Sequence, residues 1–268
     1  MRRYTLPLVI VGCIALAALL TWIALSTATF GKNRGRGDNV PKEAAVTQAL
    51  PAFNRLEVAG TAEVTLVQGN DESVALPPAS PKGGYVSAEV RNGTLYIQSS
   101  DRSHWWDMLI GSAANRSVPV VVAFRNLDTI TAAGTVRLTA AVLKADDLRV
   151  TGAGGTVIRI DDLTARQLRL TGAGALRADV SGRVVEQNLT ISGAGDFRGG
   201  KLVSQNATVD VAGAAKVVIN AEKTLNATIS GAGSVEYLGD PKVTERVSGA
   251  GRVKRRESAS LTIAHEAV

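Results

Sequence analysis

The chain has one cysteine, two histidines and aromatic side chains at only 4% of its 268 positions. A single thiol, Cys13, excludes an intramolecular disulfide framework and any zinc module built on several cysteines. His104 and His265 stand far apart, which leaves little for histidine-dependent catalysis or a histidine metal centre. Proline is scarce as well: from residue 120 onward only Pro241 occurs, following Gly239-Asp240 at a turn, so nothing there interrupts a long run of strands. The charge excess is mild, with 28 basic against 24 acidic residues after position 31. Without a basic cluster interleaved with aromatics, it points away from nucleic acid and suits an anionic envelope surface. With 20% charged and 45% hydrophobic residues the chain is a folded one, long enough for one large core or two smaller ones.

What is present begins with an address. Arg2-Arg3-Tyr4 precede a run without charge from Leu6 to Phe30, longer than the roughly 20 residues that span a bilayer as a helix. It also exceeds the roughly 7 to 15 residues of a signal-peptide core. An uncleaved signal anchor is the first reading. Two others stand beside it: cleavage at the small residues Ser26 and Ala28, and lipidation of Cys13 within Ile10-Val11-Gly12-Cys13, which has the form of a bacterial lipobox. Arg2 and Arg3 face Lys32, Arg34 and Arg36 across the run, so charge leaves the orientation tied. The organisation expected is a membrane or signal segment over 1–31, a Gly/Pro-containing linker over 32–51, a folded domain over 52–256 and a tail over 257–268. Within the tail, Ser260 to Ile263 would form a last capping strand.

One pattern then recurs: two apolar residues flanking an outward one, a small hydroxylated residue, and Gly-Ala-Gly. It occurs as Leu148-Arg-Val150-Thr151-Gly152-Ala153-Gly154 and as Leu168-Arg-Leu170-Thr171-Gly172-Ala173-Gly174. It returns as Leu189-Thr-Ile191-Ser192-Gly193-Ala194-Gly195, as Val209-Asp-Val211-Ala212-Gly213, and with Gly231, Gly233, Gly249 and Gly251 in the last two copies. Counted on the first glycine from Ala132, the steps are 20, 20, 21, 20, 18 and 18 residues. A step of about 20 is the signature of a solenoid. The period-2 alternation makes each copy a strand, and two or three strands per repeat describe a parallel β-helix. Glycines at the same place in every coil would be stacked corners, where only small residues let backbones turn in register. The column Thr131, Thr151, Thr171, Ser192, Ala212, Ser230, Ser248 would form a hydroxyl ladder. The regular part is expected over 126–256 and a less regular β part over 52–125. There, Ala59-Gly60-Thr61-Ala62 is a degenerate corner, Asn92-Gly93 a type I′ hairpin, and Val118 to Phe124 a strand leading into the repeats.

Several sharper readings fail on spacing. No copy completes the dinucleotide fingerprint before a helix, and of the acids a calcium-binding nonapeptide would need, only Asp196 sits near a glycine pair. Asp161, Glu222 and Asp240 share one offset from the corner. Glu222 and Asp240 would neighbour each other across adjacent coils, as carboxylates of a glycan-cleaving β-helix would, although both also read as solvated turn residues beside Lys223 and Lys242. Trp105-Trp106 is a candidate apolar contact loop, or packing over the side of the repeats. Arg252, Lys254, Arg255 and Arg256 are a candidate polyanion contact, or a charged cap against edge-to-edge association. The sequons at Asn92, Asn115, Asn188, Asn206 and Asn226 are those that Thr-rich strands generate by chance. No cofactor or metal is indicated.

The ensemble resembles the head GIN domain family of auto-transporter adhesins, bacterial envelope domains. The residues that carry the resemblance are Phe53-Asn-Arg-Leu56-Glu-Val58-Ala59-Gly60, Val64-Thr-Leu66-Val67-Gln68-Gly69 and Asn92-Gly93-Thr94-Leu95-Tyr96-Ile97. The Ser/Thr-Gly-Ala-Gly series and Tyr237-Leu-Gly239-Asp240-Pro241-Lys242-Val243 complete it. The resemblance covers about residues 53–253. It implies a right-handed parallel β-helix outside the cytoplasm and transfers no catalytic residue. The expectation is a non-enzymatic envelope module, anchored in the inner membrane with a periplasmic domain or exported, that binds a protein or glycan. A polysaccharide-degrading enzyme and a scaffold self-associating through the β-helix ends are the alternatives.

Overall fold

In the computed structural model the described residues are 46–77, 85–100 and 118–256. The chain divides into two compact units, Met1–Glu43 and Ala44–Val268, and every described residue belongs to the second. The N-terminal apolar run with Cys13, the linker as far as residue 45, the Trp105-Trp106 segment and the tail 257–268 lie outside the described residues. Among the described residues no helix occurs, and so none is long and apolar enough to cross a membrane.

The described residues form an all-β structure of ten strands joined in one mixed sheet. The strands are β1 (Val46–Ala49), β2 (Arg55–Gln68), β3 (Ser73–Leu76), β4 (Tyr85–Arg91), β5 (Thr94–Ser100), β6 (Val118–Phe124), β7 (Thr129–Gly231), β8 (Ser234–Leu238), β9 (Lys242–Ser248) and β10 (Arg252–Arg255). Strand β7 runs for 103 residues, which drawn out straight would be about 340 Å long. It bends at each glycine corner instead, so that every repeat lies on the one before. Parallel pairing brackets this stack. On one side β2 pairs with the start of β7, from Arg55↔Thr129 to Leu66↔Ala140. On the other, β8 and β9 pair with its end, as in Val217↔Val235 and Ile229↔Val247, and β10 continues on β8 through Val253↔Val235.

Strands β5 and β6 add to β2 in parallel, whereas β4, β3 and β1 attach antiparallel. The Asn92-Gly93 hairpin has the geometry that the dipeptide calls for. Both residues have positive φ, 50° and 71°, and Arg91 pairs with Thr94 across the turn. Strand β6 spans the residues expected of it.

Burial follows the alternation. Leu56, Val58, Ala62, Val64 and Leu66 of β2 are inside, and Ile130, Ala132, Val136, Leu138 and Ala140 of β7, which lie beside them in register, are inside too. The phase does not change at the corner, so one face of a bent strand stays on the core through the bend. That core is aliphatic, with Phe124 and Phe197 its largest fully buried side chains.

The corner column differs from the one read off the sequence. Gly134, Gly154, Gly174, Gly193, Gly213, Gly231 and Gly249 all have φ between 93° and 130°, and each from Gly154 on lies against the backbone of the one before it. The steps are 20, 20, 19, 20, 18 and 18 residues. In the copies at 152–154 and 172–174 the corner is therefore the second glycine, and from Gly193 onward it is the first. Gly152 and Gly172 are not corners. They occupy the inward position two residues before it, where Ile191, Val211 and Ile229 stand in the later repeats. Gly195, Gly233 and Gly251 occupy the inward position two residues after it, where Val136, Thr156 and Leu176 stand in the earlier ones.

The reason is steric. The two inward positions that flank a corner face each other, and the space admits one large side chain, the other position being glycine or alanine. A Cβ on Gly172 would sit 2.7 Å from Leu176 Cδ2, and one on Gly195 would sit 2.8 Å from Ile191 Cγ2. This shift also breaks the hydroxyl ladder. Thr131, Thr151 and Thr171 are followed in register by Thr190, Asp210, Thr228 and Arg246. Ser192 falls in line with Ala133, Ala153 and Ala173.

Candidate functional site

The outer faces are built of side-chain ladders, because residues at the same offset from each corner lie about 4.8 Å apart in successive repeats. Ion pairs form along and across these ladders: Arg177 with Asp196 at 3.6 Å, Arg198 with the same carboxylate at 2.8 Å, and Arg159 with Asp161 at 3.0 Å. Arg166 takes both Asp146 and Asp147. Such pairs are exposed and each contributes little to stability, but they decide which charges remain available to a ligand.

The basic group at the end of the stack is largely spoken for. Strand β10 lies on β8 with Arg252 beside Ser234 and Lys254 beside Glu236. Lys254 Nζ is 3.2 Å from Glu236 Oε1 and Arg256 is 3.8 Å from Oε2, while Arg255 reaches Asp240 at 3.3 Å. Arg252 Nε donates to Ser234 Oγ at 3.4 Å. The Lys254 ammonium, by its hydrogen bond, holds the Glu236 carboxyl below the usual carboxylate range against the opposing effect of burial.

Glu222 and Asp240 do come opposite each other, since Asn220↔Leu238 and Thr224↔Lys242 bracket them in parallel register. Each has its own cation, Arg183 at 3.7 Å for Glu222 and Arg255 at 3.3 Å for Asp240. Their side chains are 48% and 90% exposed, on open surface. Trp105 and Trp106 lie outside the described residues. Among the described residues no group of three or more His, Cys, Asp and Glu could hold a metal ion.

Two shallow depressions lie on the strand face that leads into the corners. One, of about 120 Å³, is centred on Asp210 between Thr190 and Thr228. The other, of about 210 Å³, is lined by Asp128, Thr129, Asp147, Leu148, Arg149, Gln167 and Arg169. Both are smaller than the roughly 300 Å³ at which small-molecule pockets begin. Arg149 and Arg169 stand five residues before the corners Gly154 and Gly174, which places them side by side in adjacent repeats. In the alternation of its strand Arg149 is simply the outward residue between Leu148 and Val150. Their shared offset from the corner is the sequence signal that brings the two arginines together.

Fold and surface together define a repeat-built, all-β protein whose outer faces present ladders of polar side chains. The chain belongs to the family described as "Putative auto-transporter adhesin, head GIN domain", whose model matches residues 52–241. No curated protein matches it by sequence. Among solved structures it is similar to a "putative adhesin" from Bacteroides fragilis NCTC 9343, at 18% identity and a TM-score of 0.69 over 81% of this chain and 99% of that one. It is also similar to a "putative lipid binding protein" from Parabacteroides distasonis ATCC 8503, at 17% identity and a TM-score of 0.58 over 80% and 98%. A "putative adhesin" from Parabacteroides merdae ATCC 43184 has 16% identity and a TM-score of 0.56 over 80% and 96%. At such identities the likeness is one of fold.

Proposed function

We propose that the protein is a non-enzymatic binding module of the bacterial cell envelope, of adhesin type, carried outside the cytoplasm by its N-terminal segment. The repeats would wind as a right-handed parallel β-helix, a rigid prism whose polar ladders face a surface ligand. The observation that carries this reading is the family match across 52–241, on a fold whose described depressions are too small for a substrate cleft. A prism of this kind is pre-ordered, so it binds without the entropic cost of ordering loops. Trp105 and Trp106 are proposed as an apolar anchor for that ligand.

A protein and glycan array probed with residues 40–268 tests it. Specific capture that weakens when Trp105 and Trp106 are changed to alanine is the expected result. A silent array from a folded sample counts against the adhesin role. The register that sets Glu222 opposite Asp240 favours one alternative, a glycan-cleaving enzyme. Polysaccharide turnover that disappears in Glu222→Gln and Asp240→Asn would establish that alternative in place of the first.

A further inference from the structure

Arg149 and Arg169 form the one arginine pair of the β7 stack that stands side by side in adjacent repeats at the same offset from the corner. Both are exposed, and neither guanidinium has an ion pair or side-chain hydrogen bond within the described residues. Most other arginines of β7 are engaged: Arg137 with Glu63, Arg159 with Asp161, Arg166 with Asp146 and Asp147, Arg177 and Arg198 with Asp196, Arg183 with Glu222. Like charges placed directly opposite on neighbouring strands repel, so this pair is held together by the stack against its own electrostatics.

Both arginines line the depression of about 210 Å³. Neither of its two carboxylates forms an ion pair with them among the described residues. Asp147 is taken by Arg166, and Asp128 accepts a hydrogen bond from Asn54 Nδ2 at 2.9 Å. Gln167 is also committed, donating to Glu186 at 3.2 Å. What remains free is two guanidinium groups with up to five N–H donors each, in a depression that Thr129 also lines.

The geometry points to an oxyanion site: Arg149 and Arg169 together clasp one isolated phosphate group, free or as a lipid headgroup. Two planar guanidinium groups carried on neighbouring strands about 4.8 Å apart can each give a bidentate pair of hydrogen bonds to a tetrahedral anion between them. The anion would cancel their repulsion. Asp128 and Asp147 on the rim select against a dense polyanion, whose neighbouring charges would meet them. The inference rests on the reading of the domain as a binding module and supplies one ligand chemistry for it.

The test uses the full chain in neutral detergent with inorganic phosphate as the probe, read by calorimetry and by the melting temperature against chloride at matched ionic strength. Phosphate is expected to bind the wild type and raise its melting temperature. Arg149→Gln and Arg169→Gln should each weaken binding at least 10-fold, and the double variant should lose the shift while keeping its strand signal by circular dichroism. Equal shifts in wild type and double variant, or none in the folded wild type, would overturn the site. Doping the micelles with phosphatidylglycerol separates the two sources: competition with phosphate identifies a lipid headgroup, and its absence identifies free phosphate. A protein that binds phosphate through the arginine pair but gives a silent protein and glycan array would sink the adhesin reading and leave the site standing.

Discussion

The repeats at 152–154 and 172–174 and those at 193–195, 231–233 and 249–251 carry the same Gly-Ala-Gly tripeptide but use it in opposite ways. In the earlier half the glycine two residues before the corner leaves room for Leu176 or Thr156 two residues after it. In the later half Ile191, Val211 and Ile229 come before the corner, and Gly195, Ala215 and Gly233 come after. The changeover falls where the step shortens to 19 residues, and an extra glycine, Gly182, with φ of 125°, lies there against the backbone of Leu163. An identical motif thus marks a corner without saying which of its glycines is the corner. The volume on either side of it decides.

Alanine at the four glycines of two neighbouring copies is the strongest way to break this comparison. Gly174→Ala and Gly193→Ala put a side chain on a left-handed backbone, within 2.7 Å and 2.6 Å of a carbonyl oxygen of the repeat before. Each should cost more than about 3 kcal/mol. Gly172→Ala and Gly195→Ala meet only side chains and should cost about 1 kcal/mol. Urea midpoints would read the order as mild then severe in one copy, and severe then mild in the next. The same order in both copies would mean that the two halves do not differ.

A swap tests the volume argument directly. Gly172→Val overfills the earlier corner and Leu176→Gly empties it, so each alone should destabilise by about 2–4 kcal/mol. Combined, they convert it to the later pattern, and a double-mutant cycle should return a favourable coupling of about 1–3 kcal/mol. Strict additivity would remove the steric explanation.

The seam between the halves holds a third handle. Gln187 is 1% exposed and its amide oxygen and nitrogen have no partner among the described residues. It lies six residues before its corner, in the column of Leu148, Leu168 and Leu225. Gln187→Leu should stabilise by about 1–2 kcal/mol, seen as a higher urea midpoint with an unchanged slope. A loss of stability would indicate that the amide is satisfied by buried water.

The smallest effect expected is at the last repeat, where Lys254, with Lys216 and Arg256 nearby, lowers the Glu236 carboxyl from its ordinary value of about 4.5. A lowered carboxyl stabilises the folded state above the unfolded value, and that contribution is lost as pH falls through the folded one. Wild type should exceed Glu236→Gln by less than about 1 kcal/mol at pH 7. The gap should narrow as pH falls below about 4.5 and close once it has passed through the lowered folded-state value, followed by denaturation at several pH values. A gap that persists at low pH would assign the stability to packing of the side chain instead.

Much of this was legible beforehand for a physical reason that differs from residue to residue. Asn92-Gly93 is read locally, because two consecutive positive φ values are cheap only for such residues. The inward sets Leu148/Val150, Leu168/Leu170 and Leu189/Ile191 are read from alternation, which needs no knowledge of neighbours. The hydroxyl column was legible only as far as Thr171, since the one-residue shortening beyond it leaves no mark in the motif. Arg149 beside Arg169 and Glu222 beside Asp240 follow from repeat spacing, but their available charge does not. That depends on Arg166, Arg183 and Arg255, which approach from other repeats or other offsets.

By itself, then, the sequence determined the period, the strand alternation, the glycine corners as a class and the family. These are set by backbone conformation and by which side chains avoid water, and both act over a few residues. Only the tertiary structure decided which glycine turns the chain, which hydroxyls align and which arginines stay unpaired. Each of those depends on what the adjacent repeat places within a few ångströms, and a step of 19 instead of 20 residues is enough to change it.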